Sequence, residues 1–457
     1  MQDHTSDVAT MKSGAAPGLN RPGLRQPRRN SSSDKGVSSR GQLALFHPRR
    51  QFVDVELFAG AGGMAIGLSM AGLPPDHLLE FDQHCCATLR HNAEGSTPLI
   101  TGAVHEADVA EVNWPDYVQK PVRLLSAGPP CQPFSLAGKH LAEQDRRNEF
   151  PSTMRAVRAL RPAAILVENV HGLNRASFRP YLDYIIRQLE CPDVKPRHGE
   201  LWNEHNARIR KKLASAGFVP EYNVKWRLIN AADYGVPQMR SRVIILATRA
   251  GFPAPRIPDP THSRAALIED QESGRYWDRH GIRSPVDRLY PKGPPGYARD
   301  PEVGRLPWRT VRDGLHGLQQ PPPEEDVYEM NHWFIPGARV YSKHNGSDPD
   351  WPSKTVKAGV HGVAGGENIM RLRQGRCRYY TLREMARLQG FADRFYFQGP
   401  RSRIIGQIGN AVPCELARVL GEGLKPMLEV FERSLSAPGE RAPRREPYEH
   451  PIYGIRP

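Results

Sequence analysis

The chain has 457 residues, room for one large domain and a smaller companion; 39% of them are apolar, enough for a core, and 43 prolines signal long irregular stretches. A net charge of +14 points to a polyanionic partner, most simply nucleic acid, with a merely solubilising surface as the alternative. No apolar run is long enough to span a bilayer, no signal-peptide core opens the chain, and the six cysteines include no Cys-x-x-Cys pair or zinc-spaced Cys/His cluster, so a cytoplasmic protein with free thiols and no metal is expected.

Residues 1–50 are rich in Ser, Gly, Pro and Arg and read as a disordered basic tail. Phe52 to Phe58 has a buried-strand pattern and runs into Ala59-Gly60-Ala61-Gly62-Gly63, followed by a helix from Met64 to Ala71. Strand, glycine turn and helix form the first unit of a nucleotide-type α/β sheet, where glycines let a ligand approach the backbone; a tight turn without a ligand is the alternative. The next strand, His77 to Phe81, ends in Glu80-Phe81-Asp82. An acidic residue about 20 positions after such a turn is placed to hold a ribose hydroxyl pair, and Asp82 is placed to cap the helix Gln83 to Asn92. Asp108 and Val109 follow a third short element.

An apolar run from Val122 to Ala127 stops abruptly at Gly128-Pro129-Pro130, because two prolines cannot continue a strand ladder. Cys131 comes directly after this turn, at the carboxyl end of a strand, the edge where open α/β sheets bind ligands. A buried cysteine acting as a small hydrophobe is the alternative. A polar, basic loop (residues 135–147) and a helix (Asn148 to Leu160) follow, then a strand from Ala163 to Val167 that ends in Glu168-Asn169-Val170. A carboxylate there is costly to bury unpaired. Helices at Phe178 to Leu189 and Trp202 to Ala216 precede strands at Tyr222 to Ile229 and Val243 to Ala247. Between those strands, Arg240 and Arg242 share a face if the segment is extended.

Residues 251–376 shift to Pro, Gly, Arg and His and read as a small domain of short strands and loops. Basic side chains among glycines and aromatics, as in Trp351 to Gly359, suit base and phosphate contacts. Thr381 and Glu384 form a capping box for the next helix, and Gly390 stops it. Ile408 to Pro413 leads into a final helix, Cys414 to Phe431, within a return segment (377–432); residues 433–457 read as a second disordered tail.

From Phe52 to Leu420 these blocks resemble, in order, the motifs of the cytosine-C5 DNA methyltransferases: the Phe-x-Gly-x-Gly-Gly turn, Gly-Pro-Pro-Cys-Gln, Glu-Asn-Val and Gln-x-Arg-x-Arg. The resemblance implies a Rossmann-like S-adenosylmethionine-dependent sheet with helices on both faces, in two stretches (51–250 and 377–432) around a target-recognition domain (251–376). It implies that Cys131 attacks cytosine C6, Glu168 holds the N3/N4 edge, Arg242 holds O2 and Arg240 supports it. Phe58, Gly60, Gly62, Gly63, Glu80, Phe81, Asp108, Val109, Pro130, Asn410 and Val412 would line the S-adenosylmethionine site, with Asp108 toward the adenine. Double-stranded DNA is the implied substrate, a restriction endonuclease for the same site the implied companion, and monomeric action the family's habit. An RNA cytosine methyltransferase and a non-catalytic DNA-binding protein are the competing readings.

Overall fold

The structure is a computed structural model that describes residues 50–130, 148–285, 304–323, 331–339, 346–359, 368–372 and 376–436. Seven strands pair in one sheet: β1 (Val53–Leu57), β2 (His77–Glu80), β3 (Ala103–Glu106), β4 (Val122–Ala127), β5 (Ala164–Val170), β6 (Tyr222–Asn230) and β7 (Ser241–Arg249). Their order is β3-β2-β1-β4-β5-β7-β6. The first five run parallel, while β7 is antiparallel to both β5 and β6.

Parallel strands need helical crossovers, which cover both faces. Val53, Val55 and Leu57 of β1 face a core shared with α3 (Trp114–Tyr117), α4 (Phe150–Leu160), α5 (Arg179–Glu190) and α6 (Trp202–Leu213). The opposite face meets α1 (Gly63–Met70), whose Met64 and Leu68 join a second core cluster. The outer side of β2 is covered by α2 (Gln83–Asn92), through Leu89 beside Leu78 in a third cluster. Asp82 caps α2 by accepting from the His84 and Cys85 amides at 2.9 and 3.0 Å.

The segment after β7 departs from the expected short strands and loops. Residues 264–280 form two helices, α7 (Arg264–Glu272) and α8 (Arg275–His280), between the paired short strands β8 (His262–Ser263) and β9 (Leu306–Pro307). The apolar periodicity is weak because α7 buries Asp270 and Gln271 along with Leu267. Tyr276, Trp277, Trp308 and Trp351 build a separate aromatic cluster that also takes in Ala232. Thr310 caps the short α9 (Val311–Gly314), and β10 (Ile369–Arg371) and β11 (Cys377–Tyr379) pair as a hairpin-like ladder.

The return segment holds α10 (Leu382–Leu388), capped by Thr381 and Glu384 as expected. A further helix, α11 (Arg401–Asn410), lies where local patterning predicts no element; Pro400 at its N-cap offers no capping side chain. The last helix, α12, runs from Cys414 to Ser436, so residues 433–436 are helical and not tail, despite the internal Pro426. It packs against α1 and is tied to the sheet by buried Arg123 of β4, which pairs with Asp54 of β1 and Glu432 of α12. Arg123 Nε donates to Asp54 Oδ1 at 3.0 Å, and its guanidinium lies 4.4 Å from the Phe52 ring centroid.

One strand residue carries a pH signature. Glu56 of β1 is 1% exposed, and its Oε2 has no hydrogen-bond partner among the described residues. Burial pushes its carboxyl up to about 8, against the opposing effect of the Ala65 amide in the first turn of α1. The folded state therefore holds a proton that the unfolded chain releases above its ordinary value of 4.5. Stability is lost as pH rises between those two values. Glu56→Gln should match the parent below about pH 4 and exceed it above pH 8 by on the order of 3–5 kcal/mol, read by urea unfolding. Equal gains at both pH values would contradict the assignment.

Candidate active site

The strand order reverses between β1 and β4, and ligands in open α/β sheets bind in the crevice beyond such a point. The chain leaves β1 through Phe58, which has a left-handed φ of 56°, uncommon for an aromatic residue. Gly62, with φ 82°, serves as N-cap of α1, and a Cβ there would meet Leu89 and Ile100 at 2.8 and 2.9 Å. Gly63 has no room for a side chain either, because its Cβ would lie 2.3 Å from the Val412 carbonyl oxygen. Gly60 and Gly128, by contrast, face open space at the ends of β1 and β4.

Glu80 closes one side of this crevice. Its carboxylate accepts from the Gly60 amide at 2.8 Å and from the Phe81 and Asp82 amides at 2.9 and 2.8 Å. Burial raises its pKa, and these three N–H groups pull the other way. Phe81 follows with 69% of its surface exposed, an apolar ring standing in solvent beside a fixed carboxylate. An open cradle, a hydroxyl-accepting carboxylate and a stacking ring fit the expected S-adenosylmethionine. Asp108 is exposed and accepts from the Ala110 amide at 2.8 Å, whereas the Val109 side chain belongs to the core, leaving its backbone for contact. Asn410 is exposed at the end of α11, and Val412 is buried over Gly63.

Cys131 lies outside the described residues; the turn before it does not. Asn169 Nδ2 donates to the Pro129 carbonyl at 3.1 Å, while its Oδ1 accepts from the Val170 amide at 2.8 Å. Thus Asn169, which sequence reasoning passed over inside Glu-Asn-Val, ties β5 to the end of β4. Glu149 N donates to the Pro130 carbonyl at 3.4 Å, which joins the two flanks of residues 131–147. The other cysteines are free thiols, and burial raises four of them, pushing Cys86 and Cys191 up to about 12 and shifting Cys85 and Cys414 in the same direction.

β5 continues three residues past Val167, so Glu168 sits within the ladder, opposite Ile244 of β7. Arg242 is two residues from Ile244 on the same face, and its Nε lies 2.8 Å from Glu168 Oε1. Both side chains are about one-tenth exposed. The Nε–H is not aligned on that oxygen, which has no hydrogen-bond partner among the described residues. Charge is therefore balanced across the pair, and Oε1 is buried against the guanidinium without an aligned donor among the described residues. Arg240 precedes the strand and is turned elsewhere: its guanidinium donates to the carbonyls of Val356, Gly409 and Ala411 at 3.1, 2.9 and 3.0 Å. The direction shared with Arg242 that the spacing predicts is therefore not found, because β7 begins only at Ser241 and Arg240 is drawn to carbonyls from distant parts of the chain.

The sequence profile described as C-5 cytosine-specific DNA methylase matches residues 52–192, 194–291 and 304–426. The chain is 30% identical over 394 residues to the Type II methyltransferase M.PspPI of Psychrobacter sp. (strain TA137), covering 84% of this chain and 83% of that protein. It is 31% identical over 384 residues to the Type II methyltransferase M.Eco47II of Escherichia coli, with 83% and 80% covered. With the Type II methyltransferase M.NgoMIV of Neisseria gonorrhoeae it shares 27% identity over 383 residues, with 81% and 96% covered.

The Asn169 clamp gives a direct test. Asn169→Asp keeps shape and removes the donor to Pro129, so a reaction that depends on that turn should slow by about tenfold or more. Cofactor affinity, measured by calorimetry, should stay within about twofold. Unchanged turnover in this variant would show that the clamp does not set the turn's geometry.

Proposed function

The chain belongs to the C-5 cytosine-specific DNA methylase family, and on that premise we propose that it methylates cytosine C5 at one short duplex sequence, with Cys131, Glu168 and Arg242 carrying the chemistry. The observation that carries this assignment is the Glu168–Arg242 pair, one strand over from the Pro129-Pro130 turn that leads to Cys131. S-adenosylmethionine, the family's methyl donor, supplies an electrophilic methyl group when bound; Gly60, Gly62, Glu80 and Phe81 would hold it.

Cytosine C5 is a weak nucleophile, and covalent assistance at C6 corrects this. The Cys131 thiolate forms the Sγ–C6 bond, and the displaced electron pair makes C5 electron-rich. Glu168 hydrogen-bonds the N3/N4 edge, steadying the proton at N3 that makes C6 electrophilic. Arg242 donates to O2 and keeps the base in register with Glu168. Once C5 has bonded to the methyl group that the bound donor would release, loss of the C5 proton to a base re-forms the C5–C6 double bond and expels Cys131 as thiolate. Stacked bases hide these atoms, so the target cytosine must be flipped out, at a cost of a few kcal/mol. The +14 charge and the recognition region would offset that cost through phosphate and groove contacts.

The named relatives are Type II methyltransferases, which supports a protective role beside an endonuclease of the same specificity. No helix among the described residues is long and apolar enough to cross a membrane, which is compatible with action on chromosomal DNA in the cytoplasm.

Methylation sequencing of DNA from cells expressing this chain, beside cells expressing Cys131→Ser, tests the proposal. C5-methylcytosine at one recurring short sequence, absent with Cys131→Ser, is expected. A folded, cofactor-binding protein that leaves no mark on DNA would overturn it and direct the search to RNA. In single-turnover assays on the sequence so identified, Glu168→Gln should lower the methylation rate by about a hundredfold or more. Arg242→Ala should also slow the reaction and weaken capture of the flipped base.

A further inference from the structure

Arg240 lies in the signature that carries Arg242, yet its bonds lead away from the base. It is 2% exposed, and its three carbonyl partners come from two remote parts of the chain. Val356 belongs to the Trp351–Gly359 stretch expected to meet DNA; Gly409 and Ala411 flank Asn410 at the turn between α11 and α12. A second route runs alongside. Gln238 Oε1 accepts from the Val356 amide at 2.9 Å, and its Nε2 donates to Gln389 Oε1 at 3.0 Å. Gln389 Nε2 in turn donates to the Ile408 and Ala411 carbonyls at 2.6 and 3.2 Å. Val356 and Ala411 are thus joined through Arg240 and, independently, through Gln238 and Gln389. Both glutamines are fully buried.

The backbones also touch. A Cβ on Gly409 would lie 2.3 Å from the Ala358 nitrogen and 2.5 Å from the Lys357 carbonyl carbon. Asn368 holds the same stretch from its other side, accepting from the Lys357 amide and donating to the Lys357 carbonyl, both at 3.0 Å. At the far end, the Val412 carbonyl presses on Gly63 of the glycine turn. A continuous, densely hydrogen-bonded path therefore runs from the recognition stretch to the cradle.

We propose that Arg240 is a positioning residue that couples the recognition stretch around Val356 to the turn at Gly409–Val412, so that filling the cofactor cradle stiffens the DNA-facing stretch. The proposal rests on the cofactor reading given above. A guanidinium suits this task because its rigid fork addresses several carbonyls at once, which a lysine ammonium on a flexible stem does not reproduce. Reciprocity follows from linkage: occupancy of the recognition region must tighten cofactor binding by the same factor.

Hydrogen exchange on the full chain, with and without S-adenosylhomocysteine, reads this coupling without turnover. In the parent protein, the amides of residues 354–358 should exchange about threefold or more slowly with the ligand, together with those of residues 59–63 and 408–412. In Arg240→Lys, protection at 59–63 and 408–412 should persist while the gain at 354–358 is lost. Arg240→Met, neutral and of similar length, should behave the same way and replaces the lysine variant if that one fails to fold. Protection at the glycine turn with residues 354–358 unmoved in the parent protein would overturn the coupling, as would a parent-like response in the variants. No protection at the glycine turn would overturn the cofactor reading and the coupling with it.

Discussion

The contact between α1 and α12 is the constraint on which the site depends. Gly63 and Gly67 bring these helices so close that a Cβ at either position would lie within 2.3 Å of a main-chain oxygen, that of Val412 or Cys414. Main chain against main chain leaves no slack, and interiors packed to crystal-like density do not absorb an added methyl. The glycine turn that opens the cradle is consequently shaped by a segment from the other end of the sequence. Arg123, buried with Asp54 and paired also with the partly exposed Glu432, fixes the far end of the same helix, and the desolvation of the buried pair is offset only by mutual pairing.

Around that contact, polar groups gather where the parallel strands end. Glu80 terminates β2, Gly128 follows β4, and Glu168 stands near the end of β5. Their neighbours are spent differently. Main-chain amides saturate most of Glu80, which fixes it as a rigid acceptor. Glu168 instead keeps an oxygen without an aligned donor beside the Arg242 charge. Folding thus holds both carboxylates in place, the first with amides and the second beside a guanidinium.

Local chemistry made much of this legible in the sequence. β4 and α2 have the bounds expected, because Gly128-Pro129-Pro130 cuts the strand and Asp82 caps the helix. What escaped depends on partners distant in the chain. Arg240 looks like a support for Arg242 by its phase, and only the arrival of Val356, Gly409 and Ala411 gives it other work. Asn169 looks like a strand-end polar residue until Pro129 is placed beside it. Among the helices, α11 lacks a capping side chain and contains glycines at 406 and 409, so its local propensity is poor and tertiary contact decides its form. The weakly apolar last turn hid the end of α12 in the same way.

The seating of α12 on α1 also dictates an order of events during synthesis. Gly67 leaves the ribosome roughly 350 residues before Ala417, which must pack against it. At about 5–20 residues per second, that delay is roughly 20–70 s. Through that interval the nascent sheet carries its glycine turn while the apolar face of α1 has no cover from α12. The packing that shapes the glycine turn is thus completed only after the residues around Ala417 have been made.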